Sequence, residues 1–121
     1  YSTFGNPAGT WLDPIREAVH ILDQGNPGFE YEGDLAPDAA LNPTIMKNYP
    51  FSRLTGPANV LIMPGLQSAN ISAKLLRELA GQATIGPMLL GMEKPVQVAP
   101  MTAIAPDVLT LAVLAAAGIA G

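Results

Sequence analysis

Residues 58–63, ANVLIM, form an apolar run broken only by Asn59, which ends at Pro64-Gly65 and gives way to LQSANISAKLLREL. Hydrophobicity that is continuous rather than alternating marks a strand covered on both faces, the environment of a parallel sheet with helices above and below. The segment behind it has helical periodicity. Ile71, Leu75, Leu76 and Leu79 fall on one face, predicted to point inward, while Asn70, Lys74 and Arg77 share a polar strip at i, i+4, i+7. Ser68 is the predicted N-cap and Gly81 the stop. A strand feeding through a small-residue turn into a helix restricts the chain to few architectures.

The remaining segments extend the pattern. DPIREAVHILDQG reads as a helix, with Asp13 as cap, Pro14 at its first position and Gly25 with Pro27 as the stop. Its apolar stripe is Ile15, Ala18, Val19 and Leu22, and His20 lies off it, so His20 is expected at the surface. GFEYEGDL alternates apolar and acidic, a half-exposed strand. That alternation puts Glu30, Glu32 and Asp34 on one face, where a solvated strand face is a better reading than a metal site. Pro37 opens a short helix with Asp38 in its first turn, and TIMKNYPFSRLTG reads as loop with a helical turn or two. Arg53 in that loop is a candidate contact to a ligand or a neighbouring subunit, with Ser52 and Thr55 ordinary loop residues beside it. TIGPMLLGM is mostly apolar, PVQV a short strand, and the last helix starts at Pro106-Asp107. The order helix, strand, helix, strand, helix, strand, helix predicts an α/β fold, a three-layer α/β/α sandwich on a largely parallel mixed sheet.

In such sheets ligands gather where strand carboxyl ends meet helix amino ends, which makes PGLQSAN the natural binding edge. The Ser68–Asn70 corner offers unpaired amides and a positive dipole end, and Lys74 one turn on adds a point charge for a phosphate. Plain capping beside a solvated basic strip is the competing reading. No GxGxxG and no GKS or GKT occurs, so neither nucleotide fingerprint is present. Asp38 and Asp107 each follow a Pro that opens a helix, where the dipole alone justifies an acid.

Charge and residue types narrow the partners. A net charge of −4 and six scattered Lys and Arg supply no basic stripe, which argues against nucleic acid and against an anionic membrane surface. Without cysteine there is no disulfide scaffold or thiolate metal site, and one histidine makes neither a multi-His centre nor a convincing Ser-His-Asp set. No metal site is therefore expected. The tail VLTLAVLAAAGIAG is shorter than the ~20 residues a bilayer requires and is read as a buried core helix. The opening residues have no signal-peptide character, and a cytoplasmic location fits. The chain is read as one domain or a piece of one, and because it starts at Tyr1, as part of a longer polypeptide.

Several long segments together carry a resemblance. EYEGDLAPDAAL resembles the "DGEL…DAA" segment of phosphate acetyl- and butyryltransferases, and GPANVLIMPGLQSANISAKLLRELAG with IGPMLLGMEKPV resembles their "ANVLIFPDL-AGNI-YK" and "IGP-L-GL-KPV" segments. Residues 1–121 then correspond to the C-terminal part of that domain. YPFSRLTGPANVLIMPGLQSANIS is more similar to a subgroup, the phosphotransacetylase-like C-terminal domain of hybrid NADP-dependent malic enzymes. The resemblance puts Asp107 on the family's catalytic Asp and Asn70 and Lys74 on its "GNI-YK" positions. It puts Pro100 and Met101 where transferases carry an active-site Ser and Arg, and Gly65 where many carry Asp. It implies a domain that binds acetyl-CoA as effector through Ser68, Asn70, Lys74 and Thr102, with Asp107 a vestige of catalysis. The implied partners are an acyl-CoA, further copies in a homo-oligomer and the rest of its own polypeptide. NADP and a divalent metal would serve malate oxidation in an upstream region outside this chain. The alternatives are a phosphate acyltransferase moving an acyl group between CoA and phosphate, and a structural dimerisation module without ligand.

Overall fold

The computed structural model describes residues 3–5, 11–80 and 84–118. Five helices follow in order: α1 (Asp13–Gly25), α2 (Pro37–Leu41), α3 (Pro43–Met46), α4 (Leu66–Leu79) and α5 (Ala105–Ala117). The chain divides into two compact units, residues 1–70 and 71–121, with the boundary inside α4.

In the first unit α1 forms where its periodicity places it. Ile15, Val19 and Leu22 are half-buried and His20 is exposed, sharing a 3.0 Å hydrogen bond with Gln24. Leu12 rather than Asp13 holds the cap position and offers no side-chain cap, so the Asp13 expectation is corrected by one residue. Asp13 instead sits in the first turn with the proline behind it, where the dipole favours a carboxylate. Asn26 in the left-handed region closes the helix with its N–H on the Leu22 carbonyl. Pro37 opens α2 as expected, and α2 packs against α3. Asn42 caps α3 by accepting the Thr44 N–H at 2.9 Å, and Ala39 and Ala40 are among the few fully buried residues. The Ala58 N–H reaches back to the Ala40 carbonyl at 2.9 Å and anchors the entry of the 58–63 run. Phe4, Tyr49 and Phe51 form an edge-to-face cluster with centroids 5.0–6.1 Å apart.

The second unit holds most of α4, the 84–104 segment and α5. Arg77 donates to the Gly86 carbonyl at 2.9 Å, so one member of the expected polar strip fixes a loop. Met88 and Gln97 make an antiparallel bridge, the only β pairing among the described residues. The sheet expected from residues 28–35, 58–63 and 95–98 therefore has no ladder among the described residues. A strand is completed by a neighbour's backbone, and beyond the Ala58–Ala40 hydrogen bond the 58–63 run has none among the described residues: Val60 is 68 % exposed and Ile62 89 %. The expected inward face of α4 is likewise uncovered, with Ile71, Leu75, Leu76 and Leu79 all exposed. α5 follows suit: Leu111 is buried while Val108, Leu109 and Val113 are exposed, so the buried core helix its composition predicts is buried here at Leu111 alone among the described residues. It has 13 residues, and no described helix is long and apolar enough to cross a membrane. The expected stop at Gly81 lies outside the described residues.

Candidate functional site

The turn into α4 is present, with the helix starting three residues earlier than the cap assignment requires. α4 opens at Leu66, so Ser68 is its third residue and not its N-cap. Its hydroxyl donates to the Gly65 carbonyl at 2.7 Å, and the same carbonyl accepts the Ala69 N–H at 3.1 Å. A cap oxygen must accept from an amide; this one donates, which corrects the assignment. Among the described residues no side-chain hydrogen bond to the first-turn amides of α4 is seen, and amides in that position are a dipole end that suits an anion. Asn70 and Lys74 are exposed one turn apart on the same helix, and no ion pair among the described residues involves Lys74.

The residues at the head of α5 form a second group. The Ala103 N–H closes a turn on the Pro100 carbonyl at 2.9 Å, and Met101 and Thr102 are exposed at its tip, Met101 completely. Asp107 accepts the Ile104 N–H at 3.0 Å, the carboxylate half of a capping box. No hydrogen bond or ion pair among the described residues joins Lys74 to Thr102 or Asp107.

The most connected polar constellation lies elsewhere, in the first unit. Glu30 accepts from the Thr55 N–H at 2.9 Å and its hydroxyl at 2.8 Å, while Glu32 accepts the Arg53 N–H at 2.8 Å. Alternate acids on one segment thus hold alternate amides on the other, an antiparallel register made of side chain and backbone. The Arg53 guanidinium pairs with Asp23 and stacks on the Tyr31 ring 5.5 Å away, and the Tyr31 hydroxyl donates to Asp23 at 2.7 Å. The Arg53 hydrogen bond, then that of Tyr31, holds the Asp23 carboxyl below its ordinary value; Thr55 does the same for Glu30. Hydrogen bonding to the Asp23 carboxylate pushes the Tyr31 phenol up. Arg53 is therefore paired within the chain, with its side chain still 47 % exposed. Glu30 and Glu32 are not a merely solvated face: the period-2 pattern that put them together also lets them match positions 53 and 55. The sequence does not mark Asp23 and Tyr31, because partners 30 and 8 residues away leave no local signal.

The third acid behaves differently. Asp34 is buried, lies in the left-handed region at φ 62° and pairs with Arg16 at 3.0 Å; its Oδ1 has no hydrogen-bond partner among the described residues. Among those residues no group of three or more His, Asp or Glu could hold a metal ion.

Comparison with known proteins decides the family. The family model described as phosphate acetyl/butaryl transferase matches residues 1–116. The chain belongs to that family. An NADP-dependent malic enzyme of Rhizobium meliloti (strain 1021) is 53 % identical over 116 residues, 96 % of this chain and 15 % of its own length. A phosphate acetyltransferase of Paracoccus denitrificans is 41 % identical over 96 residues, 78 % of this chain and 30 % of its own. The EutD phosphotransacetylase from Staphylococcus aureus superposes with a TM-score of 0.80 at 28 % identity, covering 98 % of this chain and 37 % of that one. The chain is thus a phosphotransacetylase-like domain portion that spans 15–37 % of the length of these relatives. The shared architecture with EutD agrees with the α/β class.

Proposed function

We propose that this phosphotransacetylase-like chain is a C-terminal regulatory part of an NADP-dependent malic enzyme, where it binds acetyl-CoA as an allosteric effector and supports oligomerisation. The observation that carries the reading is the turn at 100–102. Where the resemblance puts a transferase's Ser and Arg, this chain has a ring without a hydroxyl and a fully exposed thioether. Charge stabilisation of the developing transition state is usually the largest catalytic contribution, and neither side chain supplies any. Asp107 keeps a carboxylate, engaged with the Ile104 amide. Binding groups survive better. The amides of the first turn of α4, Asn70 and Lys74 suit a phosphate of coenzyme A, Ser68 shapes the turn, and Thr102 offers a hydroxyl. The level of identity to malic enzymes from Rhizobium meliloti and, at 44 % over 125 residues, Rickettsia prowazekii supports the parent assignment. Malate oxidation with NADP and a divalent metal then belongs to the rest of a cytoplasmic polypeptide; no nucleotide fingerprint for NADP occurs here.

The experiment uses the full-length protein. Acetyl-CoA at saturation is expected to change its malic-enzyme rate, while acetyl-CoA with inorganic phosphate yields no acetyl phosphate above background. Brisk acetyl phosphate formation would overturn the regulatory reading in favour of phosphate acyl transfer, the activity that the similarity to the Paracoccus denitrificans enzyme supports. An unchanged rate together with no binding heat would leave a structural dimerisation module.

A further inference from the structure

A cavity of about 310 Å³ in the first unit lies apart from the α4 corner and is lined by Pro43, Met46, Lys47, Tyr49, Leu54 and Thr55 among others. We infer that this cavity is a binding site for a small molecule with an anionic head and a short apolar body, of the short-chain carboxylate class, Lys47 taking the head and Met46 and Leu54 the body. Three features carry the inference.

The first is charge. The chain is acidic, at −4, yet Lys47 is the one charged residue in the lining. Glu30 and Glu32 contact residues on the cavity's own loop but do not line it; their oxygens are turned to the Arg53 and Thr55 amides. A positive centre whose acidic neighbours are engaged elsewhere selects for a negative group.

The second is rigidity. Pro43, Pro50 and Pro57 fix the backbone at three points around the wall. Between them, the ring cluster of Phe4, Tyr49 and Phe51 holds one side, and the Glu30–Thr55 and Glu32–Arg53 hydrogen bonds hold the other. A preformed wall spares a ligand the entropy of ordering it.

The third is size and polarity. At about 310 Å³ the open pocket is near the lower end of small-molecule sites, and polar and apolar residues share its lining about equally, which suits a ligand that carries both a charged head and an apolar body. Tyr49 and Ser52 bring hydroxyls to the lining, whereas that of Thr55 is donated to Glu30.

Butyrate, inorganic phosphate and 1-butanol are the probes, titrated separately into the full chain while amide resonances are followed by NMR. The expected result is saturable shifts at Lys47, Ser52 and Thr55 with butyrate, weaker ones with phosphate and none with butanol. Lys47→Met should weaken butyrate at least tenfold and Lys47→Arg should retain most of it. Leu54→Trp, which fills the cavity, should abolish it. No saturation by butyrate, or affinity indifferent to Lys47→Met and Leu54→Trp, would overturn the inference. The acetyl-CoA experiment above reads a rate, a product and a binding heat, none of which depends on butyrate shifts at Lys47, so its failure and this one are separable.

Discussion

At the scale of single residues, the tightest constraint is on Gly33. A Cβ there would run into the Cγ2 of Val19 and meet Ile15 at 3.4 Å, because α1 lies against the backbone at this point. Val19 is β-branched and stiff about χ1, so it cannot swing away cheaply. Gly33→Ala is therefore expected to destabilise by about 1–3 kcal/mol, the usual cost of overpacking a fitted contact, read as a lower urea midpoint. Val19→Ala in the same chain should recover most of that loss, a non-additivity that separates steric conflict from a backbone effect. Gly28 offers the contrast: at φ 77° with open space around it, Gly28→Ala is opposed by conformation alone and no truncation elsewhere should rescue it.

Between elements, the acids of the 23–32 region clip the 52–55 loop, and this sets a pH dependence. Asp23 and Glu30 are held below their ordinary values of 3.8 and 4.5, by the Arg53 and Thr55 hydrogen bonds respectively. A depressed folded-state value contributes stability that is complete above the unfolded value and disappears as pH falls through the folded one. The clip is thus at full strength from neutrality down to about pH 5 and is lost progressively below about pH 4. Denaturation midpoints compared between the native chain and Asp23→Asn/Glu30→Gln should differ at pH 7 and converge as pH falls through the folded-state values. A difference that stays constant across that range would show that ionisation plays no part. The same elements show what sequence could reveal. Helices α1, α2, α4 and α5 were legible because prolines and apolar spacing are local signals, and the period-2 spacing of Glu30 and Glu32 was visible as well. Their use was not. Which amides they meet depends on a loop more than twenty residues away, and a cap assignment such as Ser68 depends on whether a hydroxyl donates or accepts, which composition does not encode.

For the molecule as a whole, apolar surface exceeds what its described residues bury. Only Leu12, Ala39, Ala40 and Leu111 are buried hydrophobics among them, whereas Ile62, Leu79 and Leu90 are 89 %, 79 % and 83 % exposed. The sequence patterns that announced a two-faced strand and an inward helix stripe were sound as patterns; what they lack here is a partner, consistent with a chain matching 37 % of the EutD phosphotransacetylase. Each side chain of this size gains roughly 1.5–3 kcal/mol when fully covered, so several such residues together outweigh the cost of association. The 121-residue chain by itself is accordingly expected to associate with its own copies at micromolar concentration, measured as a rise of weight-average mass with loading in sedimentation equilibrium. Ile62→Lys with Leu79→Lys should shift that association at least tenfold toward monomer, because burying either ammonium without a partner is costly. Concentration-independent monomer in the native sequence would show that these faces are tolerated bare.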